Sequence, residues 1–327
     1  MKIILWVKGR RGSACLRSLR EREEDVRLVV ADADEGRSDP ASALALARSL
    51  GIESVVADDP NDDRLAERIE ALEPDLFILA GYGKILHPAM IDLPRQLCIN
   101  LHAGKLPEYR GSSPLNWALI NGDTSFTLSI IEVDPGVDTG PVLLERTFDI
   151  ASNDTIADLH HTAAEQFPDM VAEVIDGIRA GTVNPWPQDE SRSSYYPRRF
   201  PDDGLILWDL LTAEQVHNRI RALTEPYPGA FTFFEGRRIK LMASRLPQRD
   251  CFGEPGRVYR KTDGRLLVAA RDACLWIDAV FADTGEPVST SIRRYEELAT
   301  VRRFVQRSHE TWGEGCVSKT LTLAGTS

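Results

Sequence analysis

The chain has 327 residues, enough for two average domains, and its 43% hydrophobic and 27% charged content is that of a globular protein meant for water. Its 39 Lys and Arg against 50 Asp and Glu leave a net charge of −11, which works against non-specific binding to nucleic acid. Five scattered cysteines show no CxxC or Cys/His spacing, and no stretch has the length of a signal peptide or a membrane span, so reduced thiols and the cytoplasm are expected.

Residues 2–7 are a near-continuous apolar run, as expected of a strand buried on both faces. Gly9-Arg10-Arg11-Gly12 follows and opens a helical stretch reaching residue 22. Further strands are expected at 26–31, 55–56 and 76–80, with helical spacing at 41–50 and 65–72. Strands alternating with helices predict βαβ units, a Rossmann-like α/β fold with a mainly parallel sheet. In such sheets the ligand lies beyond the carboxyl ends of the strands. The first glycine loop lacks the third glycine of G-x-G-x-x-G, since Ala14 and Cys15 stand in its place, which argues against a dinucleotide site. Arg10 and Arg11 remain candidates for a phosphate at the helix N-terminus.

The loop at 80–88 follows a predicted strand, and Tyr82, Gly83, Ile85 and Leu86 offer a slot for a flat heterocycle. His87 reads as a surface histidine. Residues 97–101 alternate like a strand, so Asn100 and His102, two apart, share one face. Pro, Gly and Ser make 106–114 a loop over that face. Two more strands, 124–133 and 141–150, are joined by a turn containing Val137-Asp138-Thr139-Gly140. Singly, a strand-end His, a buried Asn and a turn Asp are ordinary. Together an amide, an imidazole and a carboxylate are the parts for acyl transfer to an amine.

Residues 155–179 have helical spacing, with Asn153 or Asp154 as cap and Gly181 as stop. His160 and His161 point about 100° apart on that helix, a poor metal pair, and no metal is expected. The catalytic domain is therefore drawn over 1–183, with a Pro- and Ser-rich linker at 184–202. A helix at 212–223 and short strands at 238–244, 256–259, 266–270 and 275–281 predict a smaller β-rich, OB-like domain over 203–285. The remainder, 286–327, is read as a helix at 292–308 and a frayed tail.

Asn100-x-His102, Leu106-Pro107-x-Tyr109-Arg110-Gly111, Pro114-Leu-Asn-Trp117 and Val137-Asp138-Thr139-Gly140 resemble, in order and spacing, the signature of the formyltransferases that use 10-formyltetrahydrofolate. Residues 203–245 resemble the C-terminal region of the same family, and Pro226-Tyr-Pro-Gly is most similar to members that formylate amino sugars, such as the aminoarabinose enzyme of lipid A modification. The resemblance implies a formyl donor, 10-formyltetrahydrofolate, as cosubstrate and a primary amine as acceptor. It implies that Asn100 stabilises the oxyanion, that His102 collects the amine proton, and that Asp138 supports the imidazolium. The pterin would be held by Tyr82, Gly83, Ile85, Leu86, Val137 and Asp138. Substrate contacts are assigned to Arg10, Lys84, Tyr109, Arg110, Ser112, Ser113, Pro114 and Trp117, with Lys84, Arg10 and Arg110 meeting a pyrophosphate. The expected acceptor is a nucleoside-diphosphate-linked amino sugar. tRNA is disfavoured by charge, although methionyl-tRNA and hydroxyornithine formyltransferases and formyltetrahydrofolate hydrolases share the core motif. A homodimer is left open.

Overall fold

Ile3, Ile4, Leu5, Trp6 and Val7 are all fully buried, so the first strand must be an interior strand of a sheet covered on both faces. The computed structural model describes residues 1–32, 42–303 and 305. The chain divides into two compact units, the first comprising Met1–Leu115, Thr124–Ala151 and Asp158–Arg198. Chain order begins β1 (Lys2–Val7), α1 (Gly9–Glu21), β2 (Asp25–Asp32), α2 (Ala43–Ser49), β3 (Ser54–Ala57), α3 (Asp63–Glu70), β4 (Leu76–Ala80) and α4 (Pro88–Ile91). It continues through β5 (Leu97–His102), β6 (Arg110–Gly111), α5 (Pro114–Asn121), β7 (Ser125–Glu132), β8 (Val142–Asp149), α6 (Ile156–Ala180) and β9 (Tyr195–Tyr196).

Seven strands form one sheet in the order β3-β2-β1-β4-β5-β7-β8. β1 to β5 pair in parallel, and β7 runs antiparallel to β5 and to β8. The expected mainly parallel, Rossmann-like sheet is therefore present. Leu65 and Ile69, four apart on α3, bury one face of that helix in the same apolar cluster as Trp6, Phe77 and Leu79. The helices start where the sequence supplies caps: Ser42 Oγ accepts the Ala45 N–H at 3.2 Å, and the Asp62 carboxylate accepts those of Arg64 and Leu65.

The second unit comprises Asn116–Asp123, Ser152–Ala157 and the chain from Arg199. It holds α7 (Ala213–Ala222), begun by a capping box of Thr212 and Gln215. After it come β10 (Ala230–Phe234), β11 (Arg237–Arg245), β12 (Val258–Thr262), β13 (Arg265–Ala269) and β14 (Cys274–Phe281). These strands make an antiparallel sheet in the order β10-β11-β14-β13-β12, the β-rich second region expected from the sequence.

Two segments differ from their sequence reading. The helix expected at 292–308 is absent over 292–300, where Val258 N–H donates to Glu296 O, Tyr295 N–H to Val258 O and Leu298 N–H to Gly256 O. The buried side chains of Ile292 and Leu298 anchor this stretch, so its backbone bonds to the sheet edge instead of to itself. Helical backbone begins only at Val301; residues 304 and 306–327, with the tail, lie outside the described residues. Residues 184–198 also do more than connect, because Tyr195–Tyr196 pairs in parallel with Arg110–Gly111 and Trp186 bridges Val142.

Candidate active site

Asn100 and His102 stand at the carboxyl end of β5, where Asn100 faces Leu79 of β4 and His102 faces Ser129 of β7. The strand places both side chains on one face. Asp138 reaches the same place from the turn between β7 and β8, with a left-handed backbone at φ 55°. The turn closes tightly on β7: a Cβ at Gly140 would lie 1.9 Å from the Glu132 carbonyl oxygen, so only glycine fits there.

The amide and the imidazole converge on one oxygen of the Asp138 carboxylate. Asn100 Nδ2–H donates to Asp138 Oδ1 at 3.2 Å, and His102 Nδ1 lies 3.4 Å from that same atom. Gly111 N–H donates to Asp138 Oδ2 at 2.9 Å. On the far side of the ring, His102 Nε2 lies 2.7 Å from the Tyr109 carbonyl oxygen. A carbonyl oxygen can only accept, so Nε2 carries the proton and donates. Nδ1 is therefore the nitrogen that gains and loses the proton: protonated, it donates toward Asp138, and in the neutral ring it carries the lone pair. His102 is 5% exposed, and the amide of Asn100 retains a second N–H for another acceptor.

Burial alone would raise the Asp138 carboxyl, but the His102 charge and hydrogen bond, the Gly111 N–H and the Asn100 amide outweigh it and hold the group below its usual 3.8. The site thus sets an ionised carboxylate beside an imidazole of fixed tautomer and an amide donor. Such a set can take a proton from a nucleophile and steady a developing oxyanion.

The loop over the site is packed against the ring. A Cβ at Gly104 would meet His102 Nε2 at 2.7 Å, Pro114 Cβ at 2.8 Å and Tyr109 Cβ at 3.0 Å. Ser129 Oγ donates to the Gly104 carbonyl at 2.9 Å, and Tyr109 stacks on Tyr196 with centroids 4.8 Å apart. Ser112 Oγ and Ser113 Oγ lie 3.3 Å apart, just ahead of Pro114 at the start of α5.

Other residues singled out in the sequence are placed differently. Arg110, expected at a pyrophosphate, is fully buried and committed to its own chain. Its Nε and Nη2 donate to Gln188 Oε1 at 3.0 and 2.8 Å. Its Nη1 donates to Glu190 Oε2 at 2.9 Å and to Tyr195 Oη at 3.1 Å, and its Nη2 to Glu190 Oε1 at 2.6 Å. Lys84 Nζ likewise donates to the carbonyls of Ala57 and Asp58, which ties it to the end of β3. Tyr82 and Leu86 belong to the apolar core, Tyr82 edge-on to Trp6 at 5.2 Å, so neither offers a face to a ligand. Arg10 and Gly83 are exposed. In the second unit, the Arg199 guanidinium lies 4.9 Å over the Trp117 ring.

Ile85 and Val137 are 67% and 46% exposed, apolar side chains left open on the loop after β4 and in the Asp138 turn. Val137, adjacent to Asp138, thus sets apolar surface next to the carboxylate. No group of three or more His, Cys, Asp or Glu among the described residues is placed to hold a metal ion. No helix among them is long and apolar enough to cross a membrane.

Residues 1–175 match the family model described as formyl transferase, and residues 200–292 match the model of the formyl transferase C-terminal domain. The chain belongs to the formyl transferase family. Methionyl-tRNA formyltransferase of Pelobacter propionicus is 38% identical over 269 residues, covering 80% of this chain and 82% of that protein. Among solved structures, the N-formyltransferase from Helicobacter canadensis in complex with folinic acid and dTDP-3-aminofucose aligns with a TM-score of 0.68 at 18% identity, covering 84% of this chain and 97% of that one. HypX from Aquifex aeolicus in complex with tetrahydrofolic acid aligns with a TM-score of 0.64 at 19% identity over 90% of this chain. The present chain spans 48% of HypX, about half its length. At such identities the likeness to the solved structures is one of fold.

Within this formyl transferase, Gln188 is a site residue that the sequence did not announce. Its Nε2 donates to the carbonyls of Asp138 at 2.9 Å and Gly140 at 2.7 Å. It lies in a Pro- and Ser-rich segment with no periodicity, and no local signal marks it.

Proposed function

We propose that the chain transfers a formyl group from 10-formyltetrahydrofolate to the primary amine of a nucleoside-diphosphate-linked amino sugar. The observation that carries formyl transfer to an amine is the convergence of Asn100, His102 and Asp138, with the Tyr109 carbonyl leaving Nδ1 as the free base. The donor reading is supported by the exposed apolar side chain of Val137, next to Asp138 in the same turn, as surface for the pterin.

In this reading the amine nitrogen attacks the formyl carbon and its proton passes to His102 Nδ1. Asp138, ionised beside that nitrogen, stabilises the imidazolium. The free N–H of Asn100 donates to the oxygen of the tetrahedral adduct, an interaction worth roughly 3 kcal/mol in comparable sites. Collapse expels the folate nitrogen, which recovers a proton, and leaves the formamide and tetrahydrofolate. Proton transfer contributes on the order of 10²–10⁴ in rate.

The choice of acceptor is supported by charge. Residues 1–198, which carry all three catalytic side chains, contain 20 Lys and Arg against 33 Asp and Glu. A long polyanion needs a basic track along its phosphates, whereas a sugar nucleotide needs one or two local donors. A second reading is favoured by relatives named methionyl-tRNA formyltransferase, four of which are 32–38% identical, with the methionyl amine on tRNA as acceptor. The deciding experiment incubates the protein and 10-formyltetrahydrofolate with a panel of amino-sugar nucleotides, and separately with methionyl-tRNA, and follows tetrahydrofolate release. Turnover with a sugar nucleotide and none with tRNA is expected. Formyl-methionyl-tRNA as the only product overturns the acceptor assignment.

A further inference from the structure

We propose that Gln188 is a positioning residue for the Asp138 carboxylate, held in that task by Arg110 and Glu190; the inference rests on the role given to Asp138 above. Asp138 is a non-glycine residue in left-handed backbone, a conformation that persists only where the surroundings fix it. The two hydrogens of Gln188 Nε2 are directed one to the Asp138 carbonyl and one to the Gly140 carbonyl, so a single amide clamps both ends of the turn.

The amide cannot reverse. Its Oε1 accepts two N–H groups from Arg110, so a flip would set an NH2 against a guanidinium and an oxygen against two carbonyl oxygens. Arg110 is oriented in turn by Glu190 and Tyr195 on the same segment, and its own strand residues pair with Tyr195–Tyr196. The next backbone N–H after Arg110, that of Gly111, holds the Asp138 carboxylate itself. Arg110 thus organises both grips on Asp138: one on the side chain through Gly111, one on the backbone through Gln188. Neither residue reaches the reacting atoms.

The test measures steady-state kinetics and thermal melting of the full chain carrying Gln188→Met, which keeps the length and loses the amide, and Gln188→Glu, which keeps the acceptor for Arg110 and loses the donors. Each is also combined with Asp138→Asn. Each Gln188 variant should lower kcat about 10²-fold, as expected for a displacement approaching 1 Å, with KM for the formyl donor within threefold and a near-native melting temperature. In the Asp138→Asn background the same substitutions should change kcat less than threefold, because there is no longer a carboxylate to place. A loss that multiplies in the double variants, or single variants within threefold of wild type, overturns the proposal. Should Gln188→Met melt far below wild type, Gln188→Glu decides alone. Full activity of Asp138→Asn by itself would instead overturn the reading of the site, an outcome separable from the behaviour of Gln188.

Discussion

Gly104→Ala probes how tightly the imidazole is held. The new Cβ would sit 2.7 Å from His102 Nε2, against the 3.4 Å at which ordinary contact begins, a shortfall of about 0.7 Å. The ring cannot yield freely, because it is 5% exposed and its Nε2 is bonded at 2.7 Å to the Tyr109 carbonyl. Tyr109 cannot yield freely either, stacked as it is on Tyr196. Pro114 Cβ, at 2.8 Å, blocks the remaining direction. Overpacking of this kind costs about 1–3 kcal/mol. The relief must come largely from the ring and its loop, so kcat should fall about 10²-fold as Nδ1 leaves its place beside Asp138. Urea unfolding with an unchanged m-value measures the first effect, and single-turnover formyl transfer the second. A variant within about 0.5 kcal/mol and twofold in rate of the wild type would refute the claim that packing at Gly104 sets the ring position.

His102→Gln should lower kcat on the order of 10²–10⁴-fold in the formyl-transfer assay; a tenfold loss or less would remove His102 as the base. Burial, reinforced by the Arg11 and Arg10 charges, pushes His160 from 6.5 down to about 4. Its unfolded state therefore binds more protons between these values, so stability falls as pH drops through that window, by at most about 3 kcal/mol from this group. His160→Gln should flatten that slope in urea midpoints taken from pH 7 to 4; parallel slopes would contradict it. Burial pushes the Cys15 thiol up to about 12, so it should resist alkylation at pH 8 until the chain unfolds, which mass mapping of modified peptides would check.

The local patterns of this chain expose one half of the site and hide the other. Alternation along 97–101 placed Asn100 and His102 on one face, and the βαβ rhythm put them at a strand's carboxyl end, where β5 delivers them. Those are local signals, carried by adjacent residues. Arg110 read as a loop cation because nothing nearby in sequence says that Gln188 and Glu190, some 80 residues on, will enclose it. Residues 184–198 read as a connector for the same reason: two-residue parallel pairing with Arg110–Gly111 leaves no hydrophobic period to detect. Tyr82 and Leu86 read as ligand contacts from their loop context, yet each turns inward, where the apolar cluster around Trp6 accommodates them. At 292–300 the charged sequence read as the start of an amphipathic helix, but Ile292 and Leu298 had a sheet edge to cover.

In the proposed reaction the carbonyl of Tyr109 would constrain the path of protons. With one ring nitrogen permanently engaged as a donor, every proton that His102 gains or loses must cross the opposite edge, the one that looks at Asp138. The imidazole has no need to rotate between turnovers, and it cannot relay a proton through its back to bulk water. If His102 is the base proposed above, whatever it takes from the acceptor would return to the departing product or drain along the Asp138 side, so the direction of proton traffic would be written into a single backbone oxygen.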